Sequence, residues 1–421
     1  MAGLFSDGPV LGAMLRFEAG LAGAQARLGM IPASAAEVIG RLRSGDFDPA
    51  AIARAGRDSA TIAIPFVKEL TARVEAIDQR SADFVHWGAT SQDLIDTTLV
   101  LLLVRARAAF EEHHRRLEAG LRDLSELHAN KVMLARTLLQ PALPTTFGYK
   151  AAGWFASVRR SWRRLTHAWI EAMWLQFGGA AGTLAAYGDR GPELAVELAK
   201  ELGLGVPDAP WHTHRDRLAA LVVNCGIYTA SLGKIARDVS LLMQPEIGEV
   251  AEPGGGSSAM PNKRNPSASV LVLGAATRVP GLVASYLTGM VQEQERAAGG
   301  WQAEWPTIAS VIQTTGSAMS ATAEMTGSLT VDPARMRANV AATNGWVFAE
   351  KAAMLLAQQI GRAAAQALLA GAPRNRSLRD FLTHDSRASA VLTPGQIELI
   401  DSPEEYLGAA EAFRRRLLEQ E

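Results

Sequence analysis

The segment 252–266, EPGGGSSAMPNKRNP, contains the residue types in this chain that are best suited to anion binding and proton transfer. Its glycines allow close backbone approach, and its serines, cations and amides can hold the oxygens of an anionic ligand. A flexible linker is the alternative interpretation, but a linker has no need for Lys263, Arg264 and Asn265 between prolines. The segment is not a P-loop, because no GxxxxGK[ST] run follows a strand. We therefore predict a mobile loop that closes over an anionic ligand.

A second group of polar residues lies in the segment 85–97, VHWGATSQDLIDT. The hydroxyls of Thr90 and Ser91 are suited to orienting anionic oxygens, but the run from Ser91 to Asp93 also stands where a helix N-cap is expected. Both interpretations can hold, because a capped helix N-terminus is itself a site for anions. His86 lies beside Trp87, so it is either a ligand or acid in a site, or a core histidine with a satisfied ring.

Composition excludes several classes of protein. The 421 residues are 48% hydrophobic and 20% charged, which is typical of two or three domains with a large core and not of a disordered chain. A formal charge of −1 lacks the positive field of a nucleic-acid binder. Cys225 is the only cysteine, which excludes disulfides and favours a reducing compartment. No carboxylate cluster joins His212 and His214, so we predict no metal.

No segment is predicted to span a membrane or to direct export. The N-terminus lacks a basic region followed by an apolar run. The uncharged stretch 305–323 is rich in Ser, Thr and Gln, and the stretch 218–233 is too short to cross a bilayer. We predict a cytoplasmic protein that binds neither membrane nor nucleic acid.

Helical periodicity dominates the chain, and strand patterns are almost absent. Apolar residues recur at steps of three and four, and Gly- or Pro-rich breaks separate the periodic segments. Five long helices are predicted, at about 97–128, 147–177, 215–243, 266–295 and 305–329. Several are apolar on nearly all sides, which one monomer cannot cover, so an oligomer is expected. The predicted fold is all-α, with an N-terminal helical domain 1–96, a central long-helix bundle 97–345 that carries the loop 252–266, and a C-terminal helical cap 346–421.

The run GSSAMPNKRNP resembles the signature loop GSSxMPxKxNP of the fumarase/aspartase superfamily, which includes argininosuccinate lyase, adenylosuccinate lyase and 3-carboxy-cis,cis-muconate cycloisomerase. The segment 85–97 resembles the first characteristic region of that superfamily, and the segment 135–148, ARTLLQPALPTTFG, resembles the second. The resemblance covers essentially the whole chain. It implies a three-domain, mostly helical subunit in a homotetramer, with each active site built from three different subunits.

Three departures from the superfamily pattern narrow the chemistry. In the run TLLQ at 137–140, Leu138 occupies the histidine position of the TH-x-Q element. Val270 stands where a glutamate pairs with that histidine, and Pro141 replaces a second histidine that adenylosuccinate lyases carry. Losing all three polar groups suggests a reaction that needs no separate acid for an amine or hydroxide leaving group, and argues against adenylosuccinate lyase.

Three further segments resemble the bacterial 3-carboxy-cis,cis-muconate cycloisomerases. They are MLRFEAGLA at 14–22, QEQERAAGGWQAEWPTI at 292–308 and SPEEYLGAAEAFRRRLLE at 402–419. The resemblance implies that a carboxylate of 3-carboxy-cis,cis-muconate adds to a conjugated double bond and closes 4-carboxymuconolactone, in protocatechuate catabolism through the β-ketoadipate pathway. A proton is delivered to the carbon alpha to another carboxylate, through an aci-carboxylate intermediate.

The same resemblance implies roles for individual residues. Ser257 is the expected proton carrier, with Ser258 as the alternative, and a serine needs backbone donors or a cation to be activated. Lys263 and His86 are the other predicted catalytic residues, and Lys263 is expected to help hold the charge of the intermediate. The predicted substrate-binding residues are Thr90, Ser91, Thr137, Gln140, Ser258, Met260, Asn265 and Arg296.

Alternative interpretations stay open at this point. Arg296 is either a substrate ligand or a solvated cation at a helix end. A sulfomuconate cycloisomerase is not excluded, because sulfonate and carboxylate bind the same cations and hydroxyls, and a C–N lyase is the other enzymatic alternative. A catalytically inactive structural protein, like the lens crystallins of this superfamily, is disfavoured by the intact loop. The sequence leaves the group that replaces the missing acid, the stereochemistry of addition and the order of the loop undetermined.

Overall fold

The computed structural model describes residues 3–419, and these are mostly helical. The helices that precede the signature loop are α1 Asp7–Arg27, α2 Ala33–Arg41, α3 Pro49–Gly56, α4 Ala63–Glu75, α5 Gln79–Ala82, α6 Ser91–Leu127, α7 Phe147–Ala172, α8 Gly191–Leu202 and α9 Asp216–Leu242. Those that follow it are α10 Ser267–Gly289, α11 Gly300–Ser328, α12 Pro333–Ala341, α13 Ala349–Ile360, α14 Arg362–Ala370, α15 Leu378–His384, α16 Ser386–Ser389, α17 Pro394–Ile400 and α18 Ala410–Glu419. Four short strands complete the regular structure: β1 Val132–Thr137, β2 Gln140–Thr146, β3 Val250–Ala251 and β4 Thr330–Val331.

The chain divides into two compact units. Unit 1 comprises Met1–His114, Ser161–Ala230 and Gly274–Ser320, and unit 2 comprises Arg115–Arg160, Ser231–Leu273 and Ala321–Glu421. Each unit takes part of the same five long helices, α6, α7, α9, α10 and α11, which have 37, 26, 27, 23 and 29 residues. The prediction of an all-α fold with about five long helices is therefore confirmed. The division into three domains at residues 96 and 345 stays a prediction.

Contacts between the long helices inside unit 1 are a mixture of aromatic and small-residue packing. The ring of Phe110 on α6 meets that of Trp169 on α7 edge to face, at 5.4 Å between centroids. A Cβ added at Gly226 on α9 would come within 3.0 Å of the Val283 side chain on α10, so glycine permits that close approach. These pairs show why a chain with few aromatic residues still builds a dense helical core.

Four predicted helix ends differ from the observed ones, and one of them is the end of α7, which lies at Ala172 instead of 177. Helix α6 begins at Ser91 instead of 97, so Gln92 and Asp93 lie inside its first turn and not ahead of it. Helix α10 ends at Gly289 instead of 295, and the chain then follows an irregular path to α11. Helix α11 begins directly at Gly300 and contains Pro306, which the sequence interpretation placed at the helix start. Buried Trp301 anchors this earlier turn, and its indole N–H donates to Asp96 at 2.9 Å.

The sequence did not reveal the hairpin formed by β1 and β2, since Pro141 and Pro144 appeared to be simple breakers. Both prolines lie in β2, where Pro144 is opposite Leu134 and Pro141 is opposite Arg136. Proline is tolerated in such a two-stranded edge because few ladder hydrogen bonds are lost. The register shifts between Leu134 and Arg136, and the strands β3 and β4 form a second antiparallel pair.

Among residues 3–419, two helices are long and apolar enough to cross a membrane by length and composition alone. For α9, 56% of the apolar window is buried within the chain, whereas for α10 only 17% is buried. Val270 and Leu271 on α10 are 59% and 68% exposed. Exposed apolar faces are typical of surfaces that contact a partner, and the oligomer expected from sequence stays a prediction.

Candidate active site

The start of α6 is fixed by a buried carboxylate. Asp93 Oδ2 accepts hydrogen bonds from the backbone N–H of Thr90 at 3.1 Å and of Gly179 at 2.9 Å. Its Oδ1 accepts from the N–H of Gly178 at 2.8 Å and from the Gln176 side chain at 3.2 Å. Four neutral donors therefore surround the charge, which ties the helix N-terminus to the turn at 178–179. Thr90 is the residue that precedes the helix, and its hydroxyl is available to a further donor.

That further donor is Arg296, which lies in the irregular segment between α10 and α11. Its Nη2 donates to Thr90 Oγ1 at 3.0 Å, and its Nε donates to Gln92 Oε1 at 3.2 Å. A third bond reaches the carbonyl of Ala180 at 3.4 Å. The structure thus brings two predicted site residues, Thr90 and Arg296, into direct contact, with Ser91 next to them. Arg296 is held in place, so it is not a free solvated cation at a helix end.

His86 has a carboxylate partner that sequence reasoning did not find. Its Nδ1 lies 2.6 Å from Glu18 Oε1, and the Glu18 side chain is almost fully buried. Burial lowers the pKa of His86, but Glu18 and then Asp93 outweigh that effect, so the pKa is raised above its usual 6.5. The proximity of Glu18 therefore favours the imidazolium. The Nδ1 atom of His86 has a hydrogen-bond partner, as expected of a core histidine. The positive charge of its ring is also what a ligand for an anionic substrate needs.

The backbone around His86 is strained. His86 has a φ of 55° and Gly88 a φ of 75°, and both lie in the left-handed region. A Cβ at Gly88 would come within 2.5 Å of the Tyr187 ring, so only glycine fits there. The Tyr187 hydroxyl donates to the carbonyl of Trp87 at 2.5 Å. Strain held in place by close packing is typical of functional segments.

The buried side chains of Arg215, Asp96 and Glu304 form an ion cluster. The guanidinium of Arg215 donates to Asp96 at 2.7 and 3.1 Å, and to Glu304 at 2.7 Å. Burial raises the pKa of Glu304 although Arg215 opposes that shift. Arg215 also donates to the carbonyl of His212 at 3.1 Å. His212 lies in a loop, and its ring packs on Gly178 and Asp93.

In unit 2, Thr137 and Gln140 form the last pair of the hairpin, on either side of its turn. The turn residues Leu138 and Leu139 have φ values of 51° and 65°, and their side chains are 97% and 71% exposed. The left-handed conformation of two leucines costs free energy, and these exposed side chains gain no hydrophobic stabilisation that would offset it. The hairpin is anchored at Arg136, which makes a bidentate pair with buried Glu249 at 2.7 and 3.0 Å.

The signature loop is closed at its base by two contacts. Glu252 at the start accepts from the backbone N–H of Ala268 and Ser269 at 2.8 and 3.0 Å, which places a carboxylate at the N-terminus of α10. Within the loop, the N–H of Asn265 donates to the carbonyl of Gly255 at 2.6 Å. Gly255 has a φ of 76°, and a Cβ there would come within 2.0 Å of the Asn265 carbonyl oxygen.

Ser257 lies in this loop with two backbone donors. Its Oγ accepts from the N–H of Ala259 at 3.3 Å and from that of Met260 at 3.2 Å. Ser258, Met260 and Lys263 are exposed, and the Asn265 side chain donates to the carbonyl of Gly256 at 3.4 Å. Hydrogen bonds donated to a serine oxygen favour its deprotonated form.

The predicted site residues thus fall into three local arrangements. The first is His86, Thr90, Ser91 and Arg296 in unit 1, the second is Thr137 and Gln140 at the hairpin turn, and the third is Ser257, Ser258, Met260, Lys263 and Asn265 in the loop. Sequence reasoning missed Glu18, Gln92, Asp93 and His212 as partners of the first arrangement. Gln92 and Asp93 lie inside the quoted run at 85–97, and Glu18 lies inside the quoted run at 14–22. Within residues 3–419, no group of three or more His, Cys, Asp or Glu side chains is placed to hold a metal ion.

Comparison with known proteins identifies the family. Residues 4–281 match the family model described as lyase. The 3-carboxy-cis,cis-muconate cycloisomerase of Bradyrhizobium diazoefficiens is 46% identical over 423 aligned residues, which cover 98% of this chain and 94% of that protein. The chain belongs to the lyase family. The superfamily resemblance predicted from the signature loop is therefore confirmed.

Relatives in this lyase family include proteins with different reactions. The crystal structure of a 3-carboxy-cis,cis-muconate lactonizing enzyme from Pseudomonas putida superposes with a TM-score of 0.94 at 39% identity, covering 99% of this chain and 95% of that one. A nitrosuccinate lyase of Streptomyces davaonensis is 41% identical and covers 96% of this chain and 89% of that protein. Sequence identity over the whole chain therefore shows the family, whereas the substrate is determined by the side chains at the active site.

Proposed function

We propose that this protein is a cycloisomerase that converts 3-carboxy-cis,cis-muconate to 4-carboxymuconolactone in protocatechuate catabolism. The similarity to proteins of that name and the loss of polar side chains at Leu138, Pro141 and Val270 support the assignment. The environment of Ser257 is the observation that carries the chemistry.

The reaction needs one proton and no leaving group. A carboxylate oxygen forms a C–O bond to the carbon beta to another carboxylate, and the electron pair of the double bond moves towards that second carboxylate. The resulting aci-carboxylate is protonated at its alpha carbon, so the trianion takes up one proton and becomes a lactone with two carboxylates. Ser257 gives that proton and becomes an alkoxide. The N–H groups of Ala259 and Met260 stabilise the alkoxide until the proton is replaced.

The positive charge that binds the anionic substrate comes from individual side chains at the site, since the chain as a whole is nearly neutral. Arg296, fixed on Thr90, holds one carboxylate, and His86 supplies a second positive group because Glu18 favours its imidazolium. Lys263 and Asn265 hold the developing charge of the intermediate, and Ser91, Thr137, Gln140, Ser258 and Met260 line the substrate. No cofactor or metal takes part in this scheme.

The three arrangements meet, in this proposal, as contributions from different copies of the chain in a cytoplasmic homotetramer. The largely exposed apolar helix α10 supports such an assembly. Leu138 and Leu139, exposed at the hairpin turn, then become an apolar part of a neighbouring copy's site. An apolar group there suits a reaction without a leaving group.

The proposal is tested by following the loss of conjugated-diene absorbance of 3-carboxy-cis,cis-muconate with purified protein. A sulfomuconate, adenylosuccinate and nitrosuccinate are assayed in parallel with detection suited to each. Turnover of the carboxymuconate at a kcat/KM at least about a hundredfold above the others is the expected result. Preferential turnover of the sulfomuconate, or elimination from one of the two succinates, would assign a different activity to the same loop.

A further inference from the structure

All hydrogen-bond partners of the Arg296 side chain are neutral. They are the amide oxygen of Gln92, the hydroxyl of Thr90 and the carbonyl of Ala180. Among residues 3–419, the Arg296 guanidinium makes no ion pair with a carboxylate. A guanidinium that is oriented only by neutral acceptors keeps its net charge for a ligand.

This isolation is notable because carboxylates are close by. Asp96 lies one helical turn after Gln92 on α6, and Gln92 Nε2 donates to Asp96 Oδ2 at 3.1 Å. The Gln92 amide therefore stands between the two charges, with its nitrogen on Asp96 and its oxygen on Arg296. Its Nε2 also donates to the carbonyl of His212 at 2.9 Å, which fixes the orientation of the amide. Gln92 is fully buried, so solvent does not compete for these bonds.

The charge of Asp96 is balanced elsewhere. Arg215 makes a bidentate contact with Asp96, and Trp301 adds a hydrogen bond to Asp96 Oδ1 at 2.9 Å. Arg215 is in turn shared with Glu304, which also accepts from Gln292 at 2.7 Å. Gln292 lies in the same segment as Arg296. The segment is therefore held both by the bond from Gln292 to Glu304 and by the bond from Arg296 to Gln92.

We propose that Gln92 is a positioning and specificity-determining residue, whose amide orients Arg296 towards a substrate carboxylate and keeps Asp96 from neutralising it. The inference rests on the proposed function for the identity of the substrate. It extends that proposal by explaining why residue 92 is an amide. A glutamate would pair with Arg296 and repel Asp96, whereas a methionine would fill a similar volume without any of the three hydrogen bonds of the Gln92 amide.

The test compares Gln92→Glu and Gln92→Met with the wild-type protein. Binding of tricarballylate, an unreactive tricarboxylate, is measured by titration calorimetry, and kcat and KM are measured with 3-carboxy-cis,cis-muconate. At about pH 8 we expect Gln92→Glu to weaken tricarballylate affinity at least about tenfold and to raise KM more than it lowers kcat. Gln358→Glu on the exposed face of α13 introduces the same charge away from the site and should match the wild type.

A pH series separates positioning from a merely structural role. Lowering the pH to about 4.5, close to the ordinary glutamate pKa of about 4.3, protonates part of the introduced carboxyl, so the affinity of Gln92→Glu should move towards that of the wild type, while that of Gln92→Met should not. Equal affinities for wild type and Gln92→Glu at pH 8, with both folded by circular dichroism, would overturn the inference. If the wild type fails to convert the carboxymuconate, the proposed function falls and the calorimetric comparison alone decides the role of Gln92. Absence of tricarballylate binding to the wild type overturns the inference.

Discussion

At the residue scale, Ser257 and Arg296 are both supported by neutral groups. Two backbone N–H groups donate to the Ser257 oxygen, and three neutral oxygens accept from Arg296. Neutral partners orient a reactive group without cancelling the charge it carries or develops. An amino-acid substitution that introduces charge at these partners should therefore be more harmful than one that removes a single hydrogen bond.

Ser257→Ala removes the proposed proton carrier. We expect kcat to fall by at least about a hundredfold, because general acid–base catalysis by one group contributes about that much or more. Ser258→Ala is the matched variant in the same loop, and because Ser258 is proposed to line the substrate it should raise KM while kcat falls much less than in Ser257→Ala. Both variants should show wild-type circular dichroism. A larger loss in Ser258→Ala than in Ser257→Ala would transfer the proton-transfer role to Ser258.

The pair of His86 and Glu18 predicts a pH dependence of stability. The folded-state pKa of His86 is raised above its unfolded value of about 6.5, so the stabilisation is fully present below that pH and is lost as pH rises through the folded pKa. Glu18→Gln should therefore lower the urea midpoint at about pH 5.5 more than at about pH 9. The measurement is urea denaturation of both proteins at the two pH values.

A surface histidine gives the control for that series. His384 lies 3.1 Å from Asp380 with both side chains largely exposed, so Asp380→Asn should change the urea midpoint little at either pH. A destabilisation by Glu18→Gln that is equal at both pH values would refute the linkage to His86.

Motifs predicted candidate reactive residues, but the partners of those residues could not be predicted from one sequence. Gln92 and Arg296 are 204 positions apart, and no spacing rule joins them. Glu18 is 68 positions from His86 and lies among the mostly apolar buried residues of α1. The local runs that contain Ser257 and Thr90 are informative because each contains both the polar side chains of the candidate site and the residues that set the backbone conformation. The three-subunit arrangement of these groups stays a prediction.

At the element scale, the signature loop depends on one tight backbone approach. Gly255→Ala would combine a positive φ with a clash against the Asn265 carbonyl, so the loop must open at its base. We expect kcat/KM to fall at least about tenfold while the thermal midpoint of the protein changes by only a few degrees. The measurements are steady-state kinetics and differential scanning calorimetry.

Gly256→Ala is the neighbouring control. No heavy atom lies within 4 Å of a Cβ at that position, and its φ is not in the left-handed region. Its activity should be close to that of the wild type. Equal kinetics for Gly255→Ala and Gly256→Ala would show that closure of the loop base is unimportant for turnover.

Long helices were predictable because their apolar period extends over many turns, as for α6 and α9. The hairpin was not, because β1 and β2 have weak alternation and β2 contains two prolines. The hairpin is also held by a long-range ion pair between Arg136 and Glu249. Local strand propensity carries no information about such a tertiary contact. The early start of α11 likewise depends on the tertiary bond from Trp301 to Asp96.

At the scale of the whole molecule, the proposed shared site requires an assembly of several chains. The exposed apolar residues of α10, with 17% of its apolar window buried in one chain, predict an oligomer of the 44.9 kDa subunit. The family resemblance sets the expected particle at about four times that mass. Light scattering coupled to size exclusion measures this mass directly. Leu271→Asp should lower the mass and the activity together, and a monodisperse monomer with full activity would contradict the shared site.

The most direct test of the central claim is the NMR spectrum of the product formed from 3-carboxy-cis,cis-muconate in D2O. The account predicts 4-carboxymuconolactone with a single deuterium at the carbon alpha to the carboxylate that receives the proton. Ser257→Ala protein should form almost none of it in the same time. Unchanged substrate, or a product other than this lactone, would contradict the assigned reaction.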